Sequence, residues 1–170
     1  MGGSSEKDEY EKLRDEFVWD PPEEYNFAED VIDDWGGKDP SLLAMRWVDD
    51  NDNRKDVTFS GLSERSKKLA NALTGLGIEK GDVIILVLGR EVEWWEVLTA
   101  SIRMGAVCSP GTTQLSRKDI AYRVRAAKAV CFIADKENAI KLNDVLSECS
   151  TLKAKIVIGD MLPDWHHYED

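Results

Sequence analysis

The spacing of apolar positions changes several times along the chain, and each change predicts a different element. Residues 1–24 are polar and acidic and end at Pro21-Pro22; they read as a flexible arm, extended or frayed, with helical character around 10–17. Asn26 can cap a helix, and Phe27, Val31 and Trp35 then recur every fourth residue, predicting one helical stripe that stops at Gly36-Gly37. Residues 42–48 predict a strand, 49–56 a polar turn and 57–59 a second short strand, which together make a hairpin. Ser60 opens a helix with Leu62, Leu69, Leu73 and Leu76 at helical intervals, ended by Gly75 and Gly77.

From there the chain alternates. Apolar strands are predicted over 83–88, 106–109, 129–134 and 155–158, with helices over 91–104, 116–128 and 137–149. Trp95, Leu98 and Ile102 stripe the first helix; Ile120, Val124 and Ala127 the second; Leu142, Val145, Leu146 and Cys149 the third. Ser116 followed by Asp119 is a capping-box start. Continuous apolar strands separated by amphipathic helices mean βαβ units around a parallel sheet. The fold class is therefore α/β, a layered sheet with parallel βαβ units, over residues 25–160. A polar tail, 161–170, follows the fourth parallel strand and offers nothing to cover that sheet edge. An open edge invites pairing, so the chain is expected to be a piece of something larger or to self-associate through the edge.

Composition supports a folded core. Of 170 residues, 42% are hydrophobic and 32% charged, outside the range of collagen-like or low-complexity chains. No apolar run approaches the roughly 20 residues of a membrane helix. The net charge of −11 sits entirely in residues 1–56, which hold 18 acids against 7 bases. That balance opposes nucleic-acid binding, which needs a basic stripe to replace phosphate counterions. Cys108, Cys131 and Cys149 form no C-x-x-C pair, so a reducing compartment without a disulfide framework is expected. The N-terminus has no apolar signal core, and a cytoplasmic location is the expectation. Met1-Gly2 begins a myristoylation motif, but Glu6 stands where Ser or Thr is required; Met1 to Ser5 read as a loose tail.

Most motif-like features dissolve on inspection. Gly75, Gly77 and Gly81 follow a helix, where a dinucleotide fingerprint follows a strand. Asp49, Asn51 and Asn53 have calcium-loop spacing, but Arg54 and Ser60 occupy the positions that need Gly and Glu; a hairpin tip is expected. His166-His167 lie in the polar tail without i, i+4 spacing or fixed supporting groups, so no catalytic or metal residue is assigned. Trp95 is expected in the core, with Trp94 partly exposed or under another segment. Arg117, Lys118, Arg123, Arg125 and Lys128 on one helix read first as a solvated face, and alternatively as a landing site for phosphates. Pro110-Gly111-Thr112-Thr113-Gln114 joins a strand to the capped helix at the carboxyl end of the sheet, where open α/β folds bind ligands. It serves equally as an anion-holding loop or as a tight turn.

Several stretches taken together resemble the AMP-forming acyl-CoA synthetases of the adenylate-forming superfamily, closest to the medium-chain branch. They are Tyr25-Asn26-Phe27-Ala28 with Asp30-Val31-Ile32-Asp33; Thr58-Phe59-Ser60 with Leu62-Ser63; Leu69-Ala70-Asn71-Ala72-Leu73; Gly77 with Lys80-Gly81-Asp82; Glu93-Trp94-Trp95; Arg103-Met104-Gly105-Ala106; and Pro110-Gly111-Thr112-Thr113-Gln114. The resemblance implies the N-terminal subdomain of the acyl-adenylate synthetase fold, incomplete in this chain. It implies a parent reaction in which a carboxylic acid, ATP and CoA give acyl-CoA, AMP and pyrophosphate, with Mg2+, on short- or medium-chain fatty acids. The family's phosphate loop and its later adenine-, ribose- and lysine-bearing motifs are not in these residues. Neither ATP, Mg2+ nor coenzyme A is expected to bind tightly to this chain alone, which is expected to be inactive. The resemblance carries one cofactor-binding position, Gln114, associated in the branch with coenzyme A; Arg117 is added as a phosphate partner on its charge and place. A stand-alone α/β binding or interaction module reusing the lobe is the alternative.

Overall fold

A computed structural model describes residues 5–170; the loose tail expected at 1–5 lies, save Ser5, outside the described residues. Helix α1, Ser5–Glu16, occupies the expected arm. It starts earlier than the sequence suggested because Glu, Lys, Arg and Leu are strong helix formers, and a Lys12–Glu16 pair at 3.9 Å supports its exposed surface.

A π-helical turn, Ala28–Asp33, runs directly into α2, Asp34–Lys38. The buried face is Ala28, Ile32 and Gly36, whereas Phe27 and Trp35 of the expected stripe are exposed. The expectation was thus one residue out of phase. Small side chains decide the phase: a Cβ at Gly36 would lie 2.9 Å from the Ser60 amide nitrogen, so only glycine lets this segment touch the next helix. Gly36 and Gly37 continue the helix rather than stop it. Asn26 anchors its start, accepting from the Ala28 N–H at 3.0 Å and donating to the Ile102 and Arg103 carbonyls.

Strands β1, Leu43–Val48, and β2, Arg54–Thr58, form the expected antiparallel hairpin. Strand β2 begins before the apolar residues because Arg46 pairs bidentately across the ladder with Asp56, at 2.6 and 2.7 Å. The Asp49 carboxylate closes the tip on the Asn51 and Asn53 amides. Helix α3, Phe59–Gly75, is capped by Thr58 rather than begun at Ser60.

The remaining elements are β3 (Val83–Val87), α4 (Val92–Met104), β4 (Val107–Gly111), α5 (Arg117–Ala127), β5 (Cys131–Asp135), α6 (Lys136–Asn143), a 3-10 turn at Leu146–Glu148, β6 (Ala154–Ile158) and β7 (His166–His167). The five strands form one parallel sheet in the order β4-β3-β5-β6-β7. Alternate strand residues feed two cores. Ile84, Leu86, Cys131 and Ile133 pack with α3 and α4, while Ile85, Val87, Phe132 and Ala134 pack with α5 and α6, as the period-2 alternation of a strand requires.

Two expectations are corrected here. The edge beyond β6 is not bare, because β7 pairs with it at His166 and His167 and Tyr168 packs into the first core. Among the described residues the open edge is β4, whose Pro110 suits a strand with no outer partner. The α4 stripe is also wrong: Trp95 is 51% and Ile102 41% exposed, and the buried face is Val92, Val97 and Ala100 with Glu96, Thr99 and Ser101. Polar residues can be buried there because each has a partner. Thr99 and Ser101 donate to the carbonyls four residues earlier, both at 2.8 Å. Glu96, 4% exposed, accepts from Arg65 and from the Tyr168 hydroxyl at 2.6 Å.

A second polar network joins the π turn, α3 and α4. The Arg103 guanidinium donates to Asp33 at 2.8 and 2.9 Å and to Ser66, while Ser63 and Lys67 also reach Asp33. Bonding to Arg103 holds the Asp33 carboxyl well below the usual carboxylate range. The Arg103 Nε–H is buried without a partner among the described residues.

Candidate functional site

Ligands of open parallel sheets bind where neighbouring strands send their chains to opposite faces. Strand β3 leads to α4 on one face, whereas β4 and β5 on either side of it lead to α5 and α6 on the other. The carboxyl ends therefore part above β3. A groove of about 740 Å³ lies there, lined by Trp47 from the hairpin, Arg90 and Trp94 after β3, Trp95, and Thr112 and Thr113 after β4. The Trp47 indole N–H donates to the Arg90 carbonyl and ties the hairpin to the rim. A second hollow of about 420 Å³, past Leu88 and Glu91, is lined by Glu91, Glu93, Asp135, Glu169 and His167. Its acidic lining disfavours anions, so the β4 side is the better place for a phosphate-bearing ligand.

The loop from β4 to α5 is held at nearly every residue. Leu115 is buried and lies so close to Gly111 that a Cβ there would meet its Cδ1 at 2.8 Å. The Leu115 N–H donates to the Thr112 carbonyl at 3.2 Å and the Gln114 N–H to the Thr112 hydroxyl at 3.3 Å. Ser116 and Asp119 form the expected capping box. Between these ties the Gln114 side chain is exposed, one residue beyond the groove wall. A carboxamide both donates and accepts, so Gln114 suits a ligand with amide or nucleobase edges.

Arg117 opens α5, three residues after Gln114, so both candidate residues lie on one segment. Its Nε–H donates to the Asp144 carboxylate, and Arg125 pairs with Glu148. Two of the four bases on this helix are therefore spent on fastening α5 to α6 and the following turn. His167 Nε2 lies 2.6 Å from the Gly159 carbonyl, so this histidine is fixed in the sheet edge rather than loose in a polar tail. Burial pushes the Cys108 thiol up to about 11 and Cys131 to about 12, which keeps both protonated at neutral pH. Among the described residues no group of three or more His, Cys, Asp or Glu is arranged to hold a metal ion, and no helix is long and apolar enough to cross a membrane.

Sequence reasoning missed the support beneath the loop. Asp135 caps α6 by accepting from the Asn138 N–H at 2.8 Å, and the Asn138 side chain, 1% exposed, bonds back to Asp135. Lys141 donates to Asn138 Oδ1 and to the Thr113 carbonyl, both at 3.1 Å. The Asp-x-x-Asn start of α6 was readable as a cap; the reach of Lys141 to another strand's loop was not.

Comparison with known proteins speaks to the family and the fold. The family model described as "AMP-binding enzyme" matches residues 32–169. Human mitochondrial acyl-coenzyme A synthetase ACSM3 is 38% identical over 157 residues, covering 89% of this chain and 27% of that protein. Mouse mitochondrial acyl-coenzyme A synthetase ACSM4 is 38% identical over 154 residues, covering 87% and 26%. The chain thus spans about a quarter of the length of these curated relatives. Among solved structures, acetoacetyl-CoA synthetase from Streptomyces lividans matches with a TM-score of 0.78 at 22% identity, over 85% of this chain and 24% of that one. A putative long-chain-fatty-acid CoA ligase from Rhodopseudomonas palustris matches with a TM-score of 0.77 at 22% identity, over 87% and 36%. At that identity the structural matches speak for the fold, which is part of the one these enzymes share.

Proposed function

Because the chain belongs to the AMP-binding enzyme family and the curated relatives it resembles are acyl-coenzyme A synthetases, we propose that it forms the N-terminal lobe of an ATP-dependent acyl-CoA synthetase acting on short- or medium-chain fatty acids. The parent reaction couples a carboxylate to AMP, releasing pyrophosphate, and then passes the acyl group to the thiol of CoA. A carboxylate oxygen leaves poorly and AMP leaves well, which is the reason for the two steps.

The residue proposed to meet a substrate is Gln114, and the observation that carries this is its place. It is exposed at the carboxyl end of β4, on a loop fixed on both sides and next to the tryptophan-lined groove. Its amide would pair with the polar edges of the pantetheine or adenine of CoA. Arg117 would add positive charge near a phosphate, shared with its Asp144 partner. The curated matches favour this reading over a free-standing binding module. For location we propose a reducing compartment, the cytoplasm on sequence grounds; a tagged chain recovered with mitochondria, where the relatives' names place those proteins, would replace it.

The test uses Trp47, Trp94 and Trp95, which line the groove. Titration with CoA should change tryptophan fluorescence weakly but saturably, and Gln114→Ala should weaken binding about fivefold, the value of one net hydrogen bond. Arg117→Ala should weaken it less. Incubated with ATP, Mg2+ and a panel of acids, the chain should release no pyrophosphate above background. Turnover well above background, or CoA binding indifferent to Gln114, contradicts the proposal.

A further inference from the structure

We propose that Lys141 is the positioning residue that holds the Thr112–Leu115 loop in the shape that presents Gln114 to CoA; this rests on the Gln114 reading above. The Lys141 ammonium has three N–H donors and meets three acceptors: the Thr113 carbonyl at 3.1 Å, Asn138 Oδ1 at 3.1 Å and Glu137 Oε1 at 3.1 Å. Its side chain is only 21% exposed, so its long stem is packed and its head is committed. Asn138 is itself locked by Asp135, which accepts from both its backbone and its side-chain nitrogen.

The result is a relay from the end of β5 to the loop after β4, running Asp135, Asn138, Lys141 and the Thr113 carbonyl. It crosses over the carboxyl end of β3, which lies between those two strands. The relay grips the residue immediately before Gln114, while Leu115 plugged against Gly111 grips the residue immediately after it. Gln114 is left as a free side chain on a backbone clamped at both neighbours. A backbone held this way loses little conformational freedom when a ligand arrives, so that only the Gln114 side chain has to be ordered, and preorganisation of that kind shows as affinity. Lys141 touches backbone, not ligand, so its effect passes through Gln114.

The experiment is a CoA titration of the whole chain followed by amide NMR, with wild type, Gln114→Ala, Lys141→Met and Lys141→Arg. Lys141→Met keeps the aliphatic stem, and peak dispersion in the same spectra verifies its folding. The wild-type Gln114 side-chain amide should shift with CoA. Lys141→Met should raise the dissociation constant about fivefold and mobilise the Thr113 and Gln114 backbone amides without CoA present. Lys141→Arg, which keeps donors at that place, should recover most of both effects. If Gln114→Ala weakens binding while Lys141→Met leaves affinity and loop order at wild-type values, the positioning role alone is overturned. Weaker binding by Lys141→Met with an unchanged loop also overturns it, since the charge would then act on CoA directly. Gln114→Ala binding as wild type does, or no wild-type response, removes the Gln114 reading and the positioning role with it.

Discussion

Gly36 and Gly37 are neighbours with opposite demands. A methyl group at Gly36 would press on the backbone of Phe59 and Ser60, at 2.9 to 3.1 Å, whereas a methyl at Gly37 would meet nothing within 4 Å. Gly36→Ala should therefore destabilise the chain by about 1–3 kcal/mol, the usual cost of overpacking against atoms that cannot yield. Gly37→Ala, inside a helix with space around it, should be neutral or stabilise by up to about 1 kcal/mol. Urea unfolding of the two variants checks the contrast. The pair read in the sequence as a helix stop because two glycines usually are one; that the first marks a helix–helix contact depends on a partner 24 residues away. Asp33 carries a second prediction. Its folded-state pKa is depressed, chiefly by Arg103, so its contribution is fully present above the unfolded value near 4 and is lost as pH falls below it. Stability followed from pH 7 to pH 2 should fall below about pH 4 in the wild type. Asp33→Asn should start lower at neutral pH and fall less steeply, and parallel curves would contradict the assignment.

At the level of elements, most of the parallel sheet was legible because apolar runs and amphipathic helices alternate without ambiguity, and Ser116–Asp119 marked the start of α5 correctly. Helix α4 was not legible from its apolar spacing. Trp95, Leu98 and Ile102 make a good stripe, but the buried face uses Glu96, Thr99 and Ser101: the two hydroxyls bond back within the helix, and Glu96 is satisfied by Arg65 and Tyr168, which no local window shows. Strand β7 was hidden for the same reason, being only His166 and His167 in a polar stretch. Its pairing sets the end of the chain against α3 and α4: Tyr168 donates to buried Glu96, and Arg65 stacks over the Tyr168 ring at 5.4 Å while pairing with Glu169. Tyr168→Phe removes one bond to a buried carboxylate and should cost about 1.5–3 kcal/mol, measured by thermal or urea unfolding. A loss below a few tenths would mean the carboxyl-terminal segment is not fastened there.

Seen as a molecule, the chain has one sheet edge paired by β7 and one, β4, with no outer partner among the described residues. On that strand Val107 is exposed. Light scattering should show its apparent size rising with concentration, and Val107→Lys, which charges the open edge, should reduce that rise; a size constant with concentration in the wild type contradicts it. Gln114 was singled out through the resemblance of 110–114 to a family segment, and the structure leaves it exposed just past β4. The relay beneath it was not legible, because it joins α6 to a loop on another strand. The most direct measurement exchanges this chain for the corresponding segment of a relative such as human ACSM3 and assays acyl-CoA formation from a short- or medium-chain acid, ATP, Mg2+ and CoA. The account predicts a working hybrid whose KM for CoA rises several-fold with Gln114→Ala while adenylate formation persists. A folded hybrid that makes no acyl-CoA, or one indifferent to Gln114, would contradict it.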